Sequence, residues 1–368
     1  TLSTEVDDSS AVWPIHVVDQ NTGRPISITT YPQVNTIPNV FRPTNNPIPC
    51  WKNDCTFEYP KMGIPYTPNI AHEPGMNYVP YLLTGDPYYL GEMIFWNNYN
   101  CLNMSPSYRY GSKCIFISRH NSARGESWDL RTLGYLSSIL PSNSRYLAFT
   151  KSVIANNLAS LQKWIANPVV TPSGKTTPMH IIISYYGDPG SMAPWQDDFF
   201  TWAVGNMVRL GYTQWKGPLD WKAQFVLTRM QSTNICPSWA SVYNAYYLDS
   251  KGNVAPDWRT MVANYLIRSP AYLKTYLNLK TPMNSSDIEK LLNLPCNNPT
   301  LLKASRVTSP KDFGGYPSSP QGFPANMQPA LAAAVDSGIP GAAQAWAQYQ
   351  ARPTKQDYSK YPNWDIVP

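Results

Sequence analysis

Charge is scarce in this 368-residue chain. Only 14% of residues are Asp, Glu, Lys or Arg, and the net charge of +6 is not gathered into any Lys/Arg run. Nucleic-acid recognition needs a basic stripe or patch, so no nucleic-acid partner is expected. Histidine is scarcer still, with four residues, and none of the six cysteines stands in a Cys-x-x-Cys spacing. No zinc site of the usual spacing follows, and no other metal or cofactor is expected. No apolar run reaches the roughly 18 residues a membrane helix needs. The nucleotide- and acyl-transfer signatures Gly-x-Gly-x-x-Gly and Gly-x-Ser-x-Gly are both missing. The chain does not begin with Met and shows no signal-like leader; it reads as a mature product processed from something longer.

What is abundant is aromatic and stiff: 13 Trp, 25 Tyr and 36 Pro. Rigid rings on a charge-poor surface suit a protein that binds flat, uncharged or weakly charged rings, sugars above all. They equally suit a loop-rich extracellular protein that packs against its neighbours. The even cysteine count favours an oxidising compartment. Cys50–Cys55 and Cys101–Cys114 are expected as local bridges and Cys236–Cys296 as the long one, one choice among the fifteen connectivities six cysteines allow. Two sequons, at Asn103 and Asn284, suit a secreted chain.

Residues 1–70 are rich in Pro, Asn and Thr and read as an extended arm, with one strand-like piece at Trp13–Val18. From 71 to 352 the pattern is helical, and 353–368 reads as a strap. Met76–Leu83 predicts a short helix broken near Pro80. Gly85 then stops it, Asp86 caps the next helix and Pro87 opens it, so the two form an antiparallel hairpin. Cys114–Ile117 reads as a short strand, and Met179–Tyr186 as a strand or covered loop. Further helices are expected at 122–139, 144–166, 194–210, 218–230, 237–248, 256–268 and 287–294, the last with a Ser286…Glu289 capping box. Residues 305–324 read as irregular, and 325–336 and 340–351 as a final hairpin.

The most pointed stretch is Ser122–Leu136. Arg124, Trp128, Arg131 and Tyr135 fall in one narrow stripe at helical spacing, apart from the apolar side made by Leu130, Leu133, Leu136 and Leu140. Such a stripe presents cations and rings to a ligand, or stacks internally and pairs with acids of a neighbouring helix. The Trp195 helix carries a comparable face, Asp198, Trp202, Gly205 and Arg209, which could supply those acids.

The run Tyr81-Leu-Leu-Thr-Gly-Asp-Pro-Tyr-Tyr-Leu90, the Arg124-Gly-Glu-Ser-Trp128 helix start and Trp195-Gln-Asp-Asp-Phe-Phe200 resemble the helical hairpins of (α/α) toroid proteins. These are the six-hairpin glycosidases and the alginate- and heparin-lyase-like enzymes, and the resemblance covers about residues 71–350. It implies a mainly α, toroid-like array of antiparallel hairpins with long Pro/Tyr-rich loops and a few short strands. A full ring takes about twelve helices against the ten or eleven counted here, so the ring would be incomplete or completed from outside the chain. It also implies a ligand cleft at one end, near helix starts: His72, Glu73, Tyr78, Arg119, His120, Arg124, Glu126, Trp128, Trp195, Asp197 and Asp198. An inverting hydrolase needs two carboxylates about 6.5–9.5 Å apart, for which Glu126 with Asp197 or Asp198 is the best pair. Yet Glu126 lies about 200° round the helix from Arg124, and acids are favoured in first turns for electrostatic reasons alone. A uronate lyase would use an arginine against the carboxylate and a His or Tyr for proton transfer, with His72 and Tyr78, or Arg119, His120 and Arg124.

Two functions are therefore expected. One is a secreted carbohydrate-active protein, hydrolase or lyase, acting on a polysaccharide. The other is a non-catalytic extracellular or virion subunit that assembles into filaments or rings through its arm and strap.

Overall fold

The computed structural model describes residues 28–30, 32–33, 70–73, 75–118, 122–182, 188–268, 284–314, 322–360 and 364–368. The Trp13–Val18 strand and the Cys50–Cys55 bridge lie outside them. Among the described residues the chain is mainly helical, with eleven α-helices and one two-stranded sheet. None of these helices is long and apolar enough to cross a membrane. The chain forms two compact units. One comprises residues up to 121 with 128–160; the other comprises 122–127 and everything from 161 onward.

In the first unit, α1 (Tyr78–Thr84) and α2 (Pro87–Leu102) form the expected hairpin. Gly85 adopts a left-handed φ of 66° and returns its N–H to Tyr81, and the Asp86 carboxylate accepts from the Tyr88 N–H at 2.9 Å. Pro80 does not break α1. It stands in the first turn, where the missing N–H has no helical acceptor to lose. Tyr146 N–H donates to Ser144 Oγ at the start of α4 (Arg145–Ala166). Leu90, Met93 and Ile94 of α2 pack with Leu136 and Leu140 around α3 (Ala123–Ile139), with Tyr78, Tyr81 and Tyr146 at the edge.

Cys114–Ile117 is not a strand. One side chain of α4 replaces a strand partner: Asn157 Oδ1 accepts from the Phe116 and Ile117 N–H groups at 2.8 and 3.1 Å, and Asn157 Nδ2 donates to the Cys114 carbonyl at 3.1 Å. Buried backbone groups need partners, and a carboxamide supplies both kinds at once. The Cys101–Cys114 disulfide closes the loop leading into this segment.

In the second unit, α5 (Pro194–Arg209), α6 (Lys216–Gln231), α10 (Phe323–Asp336) and α11 (Ala342–Gln350) pack together. Helices α5 and α10 approach closely at one crossing. A Cβ at Gly205 would lie 2.5 Å from that of Ala333, so glycine on one helix and alanine on the other let the backbones meet. Around this group lie α7 (Trp258–Arg268), α8 (Ser285–Leu292) and α9 (Pro299–Ser305). The Cys236–Cys296 disulfide spans 60 residues here.

Three expectations fail in this unit. Residues 237–248 are not a helix: a 3₁₀ turn at Pro237–Trp239 leads to β2 (Ala245–Tyr246), which pairs antiparallel with β1 (Ser191–Met192). The backbone of this Tyr-rich stretch is satisfied instead by the segment around β1, with Tyr247 N–H donating to the Gly190 carbonyl at 2.8 Å. The α8 capping box is Asn284 with Asp287, two residues earlier than expected. Helix α9 was not expected, although Asn298 caps it and Pro299 occupies its first position. Residues 354–360 lie against the unit, with Thr354 bonded twice to Asp312 at 2.9 and 2.6 Å.

Candidate functional site

Glu73, 4% exposed, is the hub of the first unit. Its carboxylate accepts from the Thr132 hydroxyl and, at 2.7 Å, from Asn100 Nδ2, while the Arg131 guanidinium stands 3.7 Å away and also donates to the Glu73 carbonyl. Burial pushes its pKa up; Arg131, Thr132 and Asn100 pull against that. Arg131 in turn lies 4.9 Å above the Trp128 ring, whose Nε1 donates to the Ala71 carbonyl at 3.2 Å. Tyr78 stacks on Tyr135 at 4.0 Å between ring centres, nearly parallel. The cation–aromatic stripe of α3 is thus turned inward along this part of its length. The pocket between Glu73, Tyr78, Trp96 and Tyr135 holds about 10 Å³, room for about one water and far too little for a sugar ring. His72 is exposed at the end of a 3₁₀ turn.

In the second unit, four charges meet in the dry space between α5 and α6. Lys222 Nζ binds the Asp197 carboxylate and Arg229 Nη2 the Asp198 carboxylate, and all four side chains are at most 1% exposed. Each cation also donates to a carbonyl, Lys222 to His180 at 2.8 Å and Arg229 to Ala240 at 2.9 Å. Asp197 Oδ2 accepts from the Ile182 N–H at 3.0 Å. Burial raises the Asp198 pKa to about 7, opposed by Arg229 and reinforced by Asp197. Burial likewise lowers that of Lys222, opposed by Asp197. Carboxylates so enclosed and so paired leave a stranded buried charge if either cation is removed, and Asp197 and Asp198 present no open face to a glycosidic bond. Glu126, in the first turn of α3, is fully buried.

Beside this cluster lies a face of rings. Trp195, 9% exposed, stacks on Phe323 at 5.0 Å and on Tyr243 at 6.3 Å, while Phe199 stacks on Trp364 at 4.6 Å. The Arg124 guanidinium is 5.4 Å from the Trp195 ring centre, and the Arg124 N–H donates to Gln196 Oε1 at 3.3 Å. Arg124, Trp195 and Phe323 stand in the first two positions of α3, α5 and α10. The first residues of three helices, whose N-termini carry a partial positive charge, therefore meet through these side chains. Tyr243, Phe323, Trp364 and Arg124 are all partly exposed.

Of the expected site residues, Glu73, His72, Tyr78 and Trp128 belong to the first unit. Arg124, Glu126, Trp195, Asp197 and Asp198 belong to the second. Arg119 and His120 lie outside the described residues. Arg131 is neutralised by Glu73, and Asp198 by Arg229, so the acids of the Trp195 helix are taken up by α6. Lys222, Arg229, Tyr243 and Phe323 escaped the sequence reading. Lys222 and Arg229 are seven residues apart, hence on one face of α6, and this was a usable signal. Phe323 precedes Pro324 at a helix start, as Pro194 precedes Trp195. Tyr243, in a loop, carried none.

Among the described residues, no three His, Cys, Asp or Glu side chains are grouped so as to hold a metal ion. No family model, curated protein or solved structure matches this chain.

Proposed function

We propose that this chain is a secreted carbohydrate-active protein that holds a polysaccharide across the Trp195–Tyr243–Phe323 face, with Arg124 at its edge. The observation that carries this reading is the stacked ring cluster where the first residues of three helices meet. Tyr243 and Phe323, partly exposed against the buried Trp195 ring, offer apolar ring surface to sugar C–H groups, and the adjoining guanidinium and helix ends suit hydroxyls or acidic substituents. The two disulfides are compatible with an oxidising, extracellular setting. Of the two chemistries considered, hydrolysis by Glu126 with Asp197 or Asp198 draws no support from the geometry, because Glu126 is fully buried and both aspartates are paired with buried cations. Elimination, which uses an arginine rather than a second carboxylate, fits Arg124 better. A toroid-like array of hairpins, incomplete or completed from outside the chain, remains part of this proposal by resemblance alone.

One observation favours the second reading, an assembling subunit. Leu83 and Met76 are 80% and 71% exposed, and with Val79, Leu82 and Tyr88 they make an apolar surface on the first hairpin. A single experiment weighs the two. Neutral and uronic-acid polysaccharides are titrated against the protein by calorimetry, with absorbance of unsaturated ends and light scattering followed in parallel. Binding that falls about tenfold or more in Tyr243→Ala and Arg124→Ala, the loss of one stacked ring or one charge-assisted contact, is the expected result. No binding to any polysaccharide, together with a large assembly, overturns the carbohydrate reading in favour of the subunit.

A further inference from the structure

Of the two buried carboxylates between α5 and α6, one is incompletely satisfied among the described residues. Both Asp197 oxygens are engaged, by Lys222 and by the Ile182 N–H. Asp198 Oδ1 receives Arg229, but Asp198 Oδ2 has no hydrogen-bond partner among the described residues. A buried carboxylate oxygen that receives no donor from the described residues is the most favourable place in the cluster for a proton. The pair is also placed to act on the ring face. Asp198 follows Trp195 by three residues on α5, and the Ala240 carbonyl that receives Arg229 Nη1 precedes Tyr243 by three. One guanidinium therefore ties the backbone segment carrying Tyr243 to the helix turn carrying Trp195, whose rings are stacked within 19° of parallel.

We propose that Asp198 and Arg229 form a proton-operated clamp that sets the spacing of Trp195 and Tyr243, making Arg229 a positioning residue for ligand held on that face. This rests on the reading of the face as the ligand site. With Asp198 ionised, the clamp is a charge-assisted bond. With Oδ2 protonated, Arg229 faces a neutral partner and the bond weakens, so the segment carrying Tyr243 is held less tightly and ligand binds less well. The burial that lifts the Asp198 pKa to about 7 puts this change near neutrality. The groups that bear on Asp198 are Asp197 on its own helix, Lys222 and Arg229 on α6, and Tyr349 on α11. Helix α10 carries only Asp336, at its C-terminal end, and the packed Thr213–Trp215 turn carries no titratable group.

The clamp is tested first without ligand. Near-UV circular dichroism and carbonyl ¹³C NMR of aspartate-labelled protein are titrated from about pH 5.5 to 8.5, bracketing neutrality. A carboxyl resonance and an aromatic band sharing a midpoint near neutrality are expected. The resonance should vanish in Asp198→Asn, and the band's movement should vanish in Asp198→Asn and in Tyr243→Ala. A flat aspartate spectrum in the wild-type protein, or a midpoint that persists in Asp198→Asn, overturns the clamp; if Asp198→Asn fails to fold, the wild-type resonance still decides. Ligand is then added, using the polysaccharide that binds in the panel above. Binding about fivefold weaker at the acid end, the low end of ordinary coupling between two ligands, and pH-independent in Asp198→Asn, supports the regulatory role. Equal binding at both ends with the spectroscopic midpoint intact overturns it. No binding to any polysaccharide with that midpoint intact sinks the reading of the face while leaving the clamp itself supported.

Discussion

Two groups of buried acids hold this molecule together, and they are satisfied in opposite ways. Glu73 takes its side-chain hydrogen bonds from neutral donors, the Thr132 hydroxyl and the Asn100 amide, while the Arg131 charge acts on it from 3.7 Å without a hydrogen bond to the carboxylate and is itself stacked on Trp128. Asp197 and Asp198 rely on direct contact with two fully buried cations. A carboxylate served by neutral donors can lose its charge and keep much of its geometry. A balanced set of ions cannot lose one member without stranding another, since removing one partner of a buried pair costs more than the pair's net worth.

Substitutions can break that contrast. Lys222→Met fills the same space but leaves Asp197 as a lone buried anion. It is expected to destabilise the protein by about 3–5 kcal/mol in urea unfolding, with much of the loss recovered in Lys222→Met/Asp197→Leu. If the single variant loses no more than a surface substitution would, the four-ion account of the α5–α6 contact is wrong. Glu73→Gln keeps shape and one acceptor, so the expected loss is smaller, about 1–3 kcal/mol, from the disturbed Thr132 and Asn100 bonds. A loss equal to that of Lys222→Met would show that Arg131, not the neutral donors, is what Glu73 chiefly serves.

The smallest effect is a slope. The folded-state pKa of Asp198, about 7, lies above its ordinary value of 3.8. The folded protein therefore holds this proton more tightly than the unfolded chain does. Protonation favours folding, and the contribution of Asp198 to stability falls as pH rises between those two values and is level above the upper one. The slope is at most about 1.4 kcal/mol per pH unit. Unfolding free energies measured at pH 5, 6, 7 and 8 should show this decline in the wild-type protein, with the Asp198 component missing from Asp198→Asn. Glu73, also shifted upward by burial, contributes a slope of the same sign that survives in that variant. Parallel curves for the two proteins would refute the assignment to Asp198.

Much of the helical plan was legible because its signals are local. Gly85, Asp86 and Pro87 write the α1–α2 turn in three consecutive residues, and the final hairpin turns at Gly338 and Gly341, both with left-handed φ. The Cys101–Cys114 and Cys236–Cys296 bridges followed from spacing and elimination. The two largest failures are non-local, whereas the start of α9 at Asn298 and Pro299 was a local signal passed over. Cys114–Ile117 has a strand's composition, but its partner is a side chain 40 or more residues away. Residues 237–248 form a 3₁₀ turn and an irregular stretch in which Ala245–Tyr246 pair with the β1 segment about 55 residues earlier in the chain. The candidate site divides in the same way. Trp195 and Arg124 stood out at helix starts. That Asp197 and Asp198 would be consumed by α6 depended on which helix packs against which, and a residue list does not carry that.

The meeting of Gly205 with Ala333 bears on how this chain can vary over time. Where two backbones touch with a single methyl between them, size at the two positions is one shared quantity. A relative with alanine at the place of Gly205 is expected to carry glycine at the place of Ala333, or to have drawn its α5 and α10 apart. Because α5 also bears Trp195 and α10 bears Phe323, drift at that crossing would change the gap between the two rings, so the ancestry of the ring face is written partly in a pair of residues with almost no side chain.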